Sequence, residues 1–266
     1  MSAEFIKAFG IACIFASVVM LGIWWLALRI KNLGIIDIAW SFSLAPIAIF
    51  YATISQGDPT RRWLMAGMVA LWSLRLGGYL GWRVAKHHPH EDPRYKEFRA
   101  KWANHFKRDT FWFFQIQAAS IATLSILFLL VCLNNKSQIS LIEWIGFAVW
   151  LIAFCGESLS DIQMTLFKKN PANKGEVCQK GLWNYSRHPN YFFEGLIWIS
   201  FYVFALNSPW GWATIYCPAM ILYFLLRVTG IPLTEKLAVQ TKGEKYRAYQ
   251  RSTSAFVPWF KKHFAS

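Results

Sequence analysis

A chain of 266 residues with 55% hydrophobic and 18% aromatic content is too apolar for an ordinary water-soluble domain. Its 28 Lys and Arg outnumber 14 Asp and Glu to give a formal charge of +14, which points to nucleic acid only if the cations are spread as a binding face. The five cysteines (Cys13, Cys132, Cys155, Cys178 and Cys217) contain no C-x-x-C pair and support neither a disulfide framework nor a metal site.

Seven apolar runs approach the roughly 20 residues that a membrane-crossing helix needs: 5–28, 35–55, 63–84, 111–133, 141–164, 191–206 and 210–230. The sixth is short and is either tilted or joined to the seventh by a tight hairpin through Asn207-Ser208-Pro209. The first run is long for a signal sequence and lacks a small-x-small cleavage site, so no cleavable signal is expected. The segments after the first, third, fifth and seventh runs carry 2, 8, 5 and 8 Lys and Arg, whereas the other side carries Lys7, Arg61, Arg62 and Lys136. That asymmetry predicts the N-terminus outside and the C-terminus in the cytoplasm. The charge therefore reads as topology and attraction to anionic head groups, not as nucleic-acid binding. With no internal repeat, residues 1–266 are expected to form a single all-α membrane domain.

In chain order, Asp37 comes first, about a turn inside the second run. A desolvated carboxyl there is either a protonated hydrogen-bond donor or a partner for Arg29 or Lys31. Arg75 lies about two turns inside the third run, with Trp72 before it and Tyr79 after it, and either snorkels or meets an anionic ligand. Gly77 and Gly81 share one face and suit close helix packing. Tyr95, Phe98, Trp102 and Phe106 recur at helical spacing among basic residues, which predicts an interfacial amphipathic helix over 94–108.

Glu157 and Asp161 share a face at the end of the fifth run and precede Lys168, Lys169 and Lys174. Carboxylates followed by cations suit a ribose-phosphate ligand, or else pair with one another across the loop. The stretch Gly181-Leu-Trp-Asn-Tyr-Ser-Arg-His-Pro-Asn-Tyr-Phe-Phe-Glu194 then places Arg187 and His188 just before a helix and Asn190 and Glu194 on one face of it. Gly230-Ile-Pro232 should end the last apolar helix, with Arg227 and Glu235 bracketing the corner, and 233–249 should form a cytoplasmic helix.

These constellations resemble the steroid 5α-reductase C-terminal domain family, above all its bacterial membrane branch. The carrying residues are Gly181-Leu-Trp-Asn-Tyr185, Asn190-Tyr-Phe-Phe-Glu194, Ser160-Asp161 and Leu226-Arg227. The resemblance implies that helices within 1–134 enclose an apolar cavity and that 135–266 hold NADPH from the cytoplasmic side. Arg75, Asp161, Lys168, Tyr185, Arg187, His188, Asn190, Glu194, Arg227 and Glu235 would be cofactor contacts. The implied reaction reduces the carbon–carbon double bond of a lipophilic enone, steroid or otherwise, with an acid polarising its carbonyl. The family's carbonyl-binding glutamate and tyrosine are replaced here by Asp37 and by Trp72 or Tyr79. The implied setting is a bacterial inner membrane, with membrane lipids as the remaining partner.

Arg187-His188-Pro189-Asn190-Tyr191, with Glu235 and Tyr246/Tyr249 downstream, is also similar to the isoprenylcysteine and phospholipid methyltransferases, which use S-adenosylmethionine. A non-enzymatic lipid-binding role is the third reading.

Overall fold

Ala8, Ala12, Ala16, Met20 and Ala27 recur along one side of the first helix and are all buried, because small side chains let a neighbouring backbone approach. The computed structural model describes residues 3–261; Lys262, counted with the C-terminal cations, lies outside them. Among the described residues the chain is helical and has no strand: α1 (Ala3–Ile30), α2 (Ile35–Ile54), α3 (Pro59–His87), α4 (Pro93–Lys101), α5 (Phe106–Cys132), α6 (Leu141–Lys169), α7 (Pro189–Ala205), α8 (Tyr216–Tyr223), α9 (Ile231–Lys242) and α10 (Glu244–Ser252). Helices occupy all seven apolar runs. Five are long and apolar enough to cross a membrane: Ala3–Ile30, Ile35–Ile54, Ala103–Cys132, Leu141–Lys169 and Gly211–Lys242. The third run, interrupted by Arg75, and the 17-residue α7 are outside that set.

The described chain divides into two compact units. One comprises 3–140 with 205–214, and the other 141–204 with 215–261.

In the first unit, α2 lies against α3, and α1 and α2 lie against α5. Polar side chains of α5 stitch these contacts. Gln115 accepts from Ser17 (2.7 Å), Thr110 from the Trp24 indole (3.1 Å), and Ser120 from the Trp40 indole (2.9 Å), while Ser125 pairs with the Tyr51 hydroxyl (3.0 Å). Away from water each such bond satisfies groups that would otherwise be left unpaired. Gly77 lies under the Phe42 ring, which an added Cβ would meet at 2.9 Å, so its use is the close packing its spacing predicts.

Arg61, counted with Lys7, Arg62 and Lys136 on the less basic side, is not a surface cation. It is fully buried and donates to the carbonyls of Asn134, Lys136 and Gln138 beyond the end of α5. A guanidinium carries five N–H donors, so one buried side chain can hold several carbonyls of the loop at once. Asn134 in turn donates to Ser208 Oγ (3.2 Å), which ties 205–210 to the same corner.

The amphipathic helix predicted over 94–108 is shorter than expected. Asp92 caps α4 by accepting from Arg94 N (3.0 Å), but the helix ends at Lys101 with Trp102 as its cap, and α5 starts at Phe106. Phe98 stacks on Trp102, and Phe113 meets both rings at an angle, which sets that corner. The tail helix predicted over 233–249 is likewise two helices, broken at Gly243, whose φ of 56° favours glycine. The break expected at Gly230-Ile-Pro232 is present, with the chain passing through a wide π turn (Phe224–Val228) into α9.

Candidate functional site

In the second unit the site is assembled where 181–188 docks between α6, α7 and the two tail helices. Gly181 takes φ 58°, and a Cβ there would meet the Gln163 amide at 2.3 Å. Gln163 uses that closeness to accept from Leu182 N (2.9 Å), and the Trp183 indole donates to Ser160 O (3.0 Å). Asp161, buried at 6% exposure, sits in the α6 turn that these two bonds bracket. Glu157 is buried one turn earlier, and Lys168 is exposed two turns later on the same side.

At the mouth of α7, Ser186 Oγ accepts from His188 N (3.1 Å), and Pro189 opens the helix. Arg187 Nε donates to Glu235 Oε1 (2.6 Å), and its Nη1 donates to the carbonyls of Gln250 and Thr253. His188 Nε2 lies 3.2 Å from the same Glu235 oxygen, while Glu235 Oε2 accepts from Gln250 (2.7 Å). Glu235 therefore serves both tail helices and both residues of the motif, an arrangement that an ionised carboxylate satisfies. The Arg227–Glu235 corner considered in the sequence is replaced by this Arg187 centre, and Arg227 is exposed in the π turn.

His188 stacks on Tyr191 at an interplanar angle of 4°, and the Tyr191 hydroxyl pairs with Thr234 (3.2 Å). The Tyr249 hydroxyl donates to the Trp183 carbonyl and lies 3.1 Å from that of Ser186. Burial pushes the Tyr246 and Tyr249 phenols well up, so both stay protonated in the neutral range. The segment after α10 completes the mouth. Arg187 N donates to Ser254 O (2.9 Å), Ser186 Oγ to Phe256 O (2.7 Å), and Trp259 N to Tyr185 O (2.9 Å). Tyr185 is itself exposed, with its ring edge against Phe260.

On α7, Asn190 is half-buried. Glu194 is buried and accepts from the Trp198 indole at 3.1 Å. The structure thus joins Arg187, His188 and Glu235 into one network and puts Asp161 beside the docked 181–185 segment. Sequence reading missed Gln250 and Gln163, because a lone glutamine carries no spacing signal.

The remaining expected residues belong to the first unit. Asp37 accepts from the Tyr95 hydroxyl (2.7 Å) and from Arg94 Nη2 (3.1 Å). Its partner is therefore on α4, where Arg29 or Lys31 was expected, and the carboxyl acts as an acceptor. Trp72 is fully buried edge-on to Trp40, Tyr79 stacks on Trp82, and Arg75 is half-buried on α3. Among the described residues no group of three or more His, Cys, Asp or Glu is placed to hold a metal ion.

No solved structure matches the chain. Over 46 residues it is 41% identical to a protein of Ustilaginoidea virens described as a probable O-methyltransferase, ustE; the match covers 17% of this chain and 16% of that protein. An uncharacterized protein of Schizosaccharomyces pombe is 26% identical across 89% of this chain and 75% of its own length. The family described as a protein of unknown function, DUF1295, matches residues 23–253, and the chain belongs to it.

Proposed function

We propose that the protein is a seven-span membrane reductase, resembling the steroid 5α-reductases, that uses NADPH to reduce the carbon–carbon double bond of a lipophilic α,β-unsaturated ketone. The observation that carries this reading is the docking of Gly181-Leu-Trp-Asn on Ser160–Gln163, since two of the motifs behind the resemblance meet through Trp183 and Leu182. In kind, the residues there suit a phosphate-bearing dinucleotide. Asp161 and Glu157 are buried carboxylates that accept from hydroxyls or an amide, and Lys168, Lys169 and Lys174 are cations for phosphate.

Bound NADPH supplies the hydride that the double bond takes up. Arg187, His188 and Glu235 are bonded to one another, so their part is to hold the mouth of α7 in shape. Asn190 and Arg227 remain as polar groups open to a ligand. Asp37, an acceptor in this arrangement, fixes Tyr95 and Arg94 at the start of α4. The proposal adds α3 and α7 to the five apolar spans. It sets the N-terminus outside and the cofactor half toward the cytoplasm of a bacterial inner membrane, on the asymmetry of the basic loops.

A second reading is favoured by one specific observation. The Arg187–Tyr191 motif and Glu235, which resemble the membrane methyltransferases, are joined through Arg187 and His188 in this structure. The short match to a probable O-methyltransferase points the same way.

Thermal unfolding of the detergent-purified protein with NADPH, NADH, S-adenosylmethionine and S-adenosylhomocysteine in parallel separates the two. A ligand specific to the folded state adds roughly 2.7 kcal/mol at a hundred times its dissociation constant. NADPH is expected to raise the midpoint. A rise with the methyl donor or its product, and none with NADPH, replaces reductase by methyltransferase.

A further inference from the structure

Between α1 and α2 runs a groove of about 420 Å³, bounded by Phe15, Val19 and Leu26 on one helix and Ile35, Ala39 and Phe42 on the other. Ser43 is the one polar side chain among its lining residues, and its hydroxyl is already bonded to Ala39 O at 2.6 Å. Nothing in the groove asks for a hydrogen bond, so its occupant there is hydrocarbon. The lining runs from Phe15 to Leu26 on α1 and from Ile35 to Pro46 on α2, eleven residue steps each or about 16 Å of helix, which suits an extended chain. Both helices are long and apolar enough to cross a membrane, so the molecules that reach this depth are lipids.

Near the end of the groove at Leu26 and Ile35 lie two exposed cations, Arg29 and Lys31, while the Glu91 carboxylate beside them is taken up by Arg99 and the Leu33 N–H. Arg29 lies one turn past Leu26 on the same face of α1, exposed, with its guanidinium 4.5 Å from the Trp25 ring centre. Lys31 is exposed in the turn that leads into Ile35 and holds φ 55°, a left-handed conformation uncommon for a residue with a side chain. Arg99 donates to the Lys31 carbonyl at 3.3 Å and pins that turn. Arg29 and Lys31, two residues apart and both exposed, offer positive charge to an anionic group at the end of the two spans.

We propose that the α1–α2 groove binds one acyl chain of an anionic glycerophospholipid, whose phosphate is met by Arg29 and Lys31. The site stands apart from the residues assigned to the cofactor and does not rest on the reductase reading.

The test uses the full chain reconstituted in bilayer discs of phosphatidylcholine doped with phosphatidylglycerol, with retained lipid counted by native mass spectrometry. The wild type is expected to keep a phosphatidylglycerol in preference to phosphatidylcholine. Arg29→Gln and Lys31→Gln should each lower that preference about fivefold. Val19→Trp, which fills the groove from α1 and spares its buried alanine face, should remove the retained lipid while the thermal midpoint holds. Ala39→Trp makes the same test from α2 if the first variant does not fold. Retention without preference for the anionic lipid, or preference untouched by the charge and filling variants, overturns the proposal.

Discussion

Glu235 offers two oxygens to Arg187, His188 and Gln250, and Arg187 reaches past it to two backbone carbonyls. Arg187 and Glu235 keep only 11% and 15% of their side-chain surface exposed, so removing one leaves the other poorly solvated. Arg187→Ala is expected to lower unfolding stability by about 3 kcal/mol, read from denaturation of the detergent-solubilised protein. Arg187→Lys should recover only part, because an ammonium cannot span the carboxylate and the two carbonyls together. If Arg187→Ala unfolds like the wild type yet loses ligand-dependent stabilisation, the arginine belongs to the ligand and not to the mouth.

The short helix α4 shows how an element is held by charge more than by apolar area. Asp92 accepts three bonds from Arg94, and Arg94 continues to Asp37 on α2. Burial alone would raise the Asp92 carboxyl, but the side chain and N–H of Arg94, with Arg83 nearby, more than offset it and hold it below the usual range. A carboxylate depressed in this way stabilises the fold above its unfolded value near 3.9 and loses that contribution as pH falls through the folded value. The thermal midpoint should therefore drop below about pH 4, and Asp92→Asn should remove that acid limb while lowering the midpoint at neutral pH. An unchanged acid limb in Asp92→Asn would move the titration to another carboxyl. The long helices were legible because apolar runs near 20 residues have few other uses. The ends of α4 and the break at Gly243 were not, because ring contacts with Phe113 and a positive φ decide them rather than periodicity. The site was half legible. The Arg187-His188 motif and Glu235 stood out, whereas the other partners of Arg187, the carbonyls of Gln250 and Thr253, come from a segment 63 to 66 residues further on.

At the scale of the whole molecule, the distribution of cations makes the strongest claim. The proposed seven-span arrangement puts the exposed residues Ser137 and Glu244 on opposite sides of the membrane. In a background free of the native cysteines, Ser137→Cys should react with an impermeant maleimide applied from outside. Glu244→Cys should react only after the membrane is opened. Equal labelling of both from outside would remove the orientation and, with it, the cytoplasmic cofactor site. Arg61 limits what charge counting can deliver, since a residue counted only by its side of the membrane is wholly buried on carbonyls.

Arg187 meets Glu235 only 48 residues later along the chain, and the Thr253 carbonyl 66 residues later. At a synthesis rate of about 5–20 residues per second, the first of those partners is made roughly 2–10 s after the arginine. The mouth of α7 can therefore close only after α9, α10 and the segment through Phe256 have been made, so its shape is fixed by the last part of the chain.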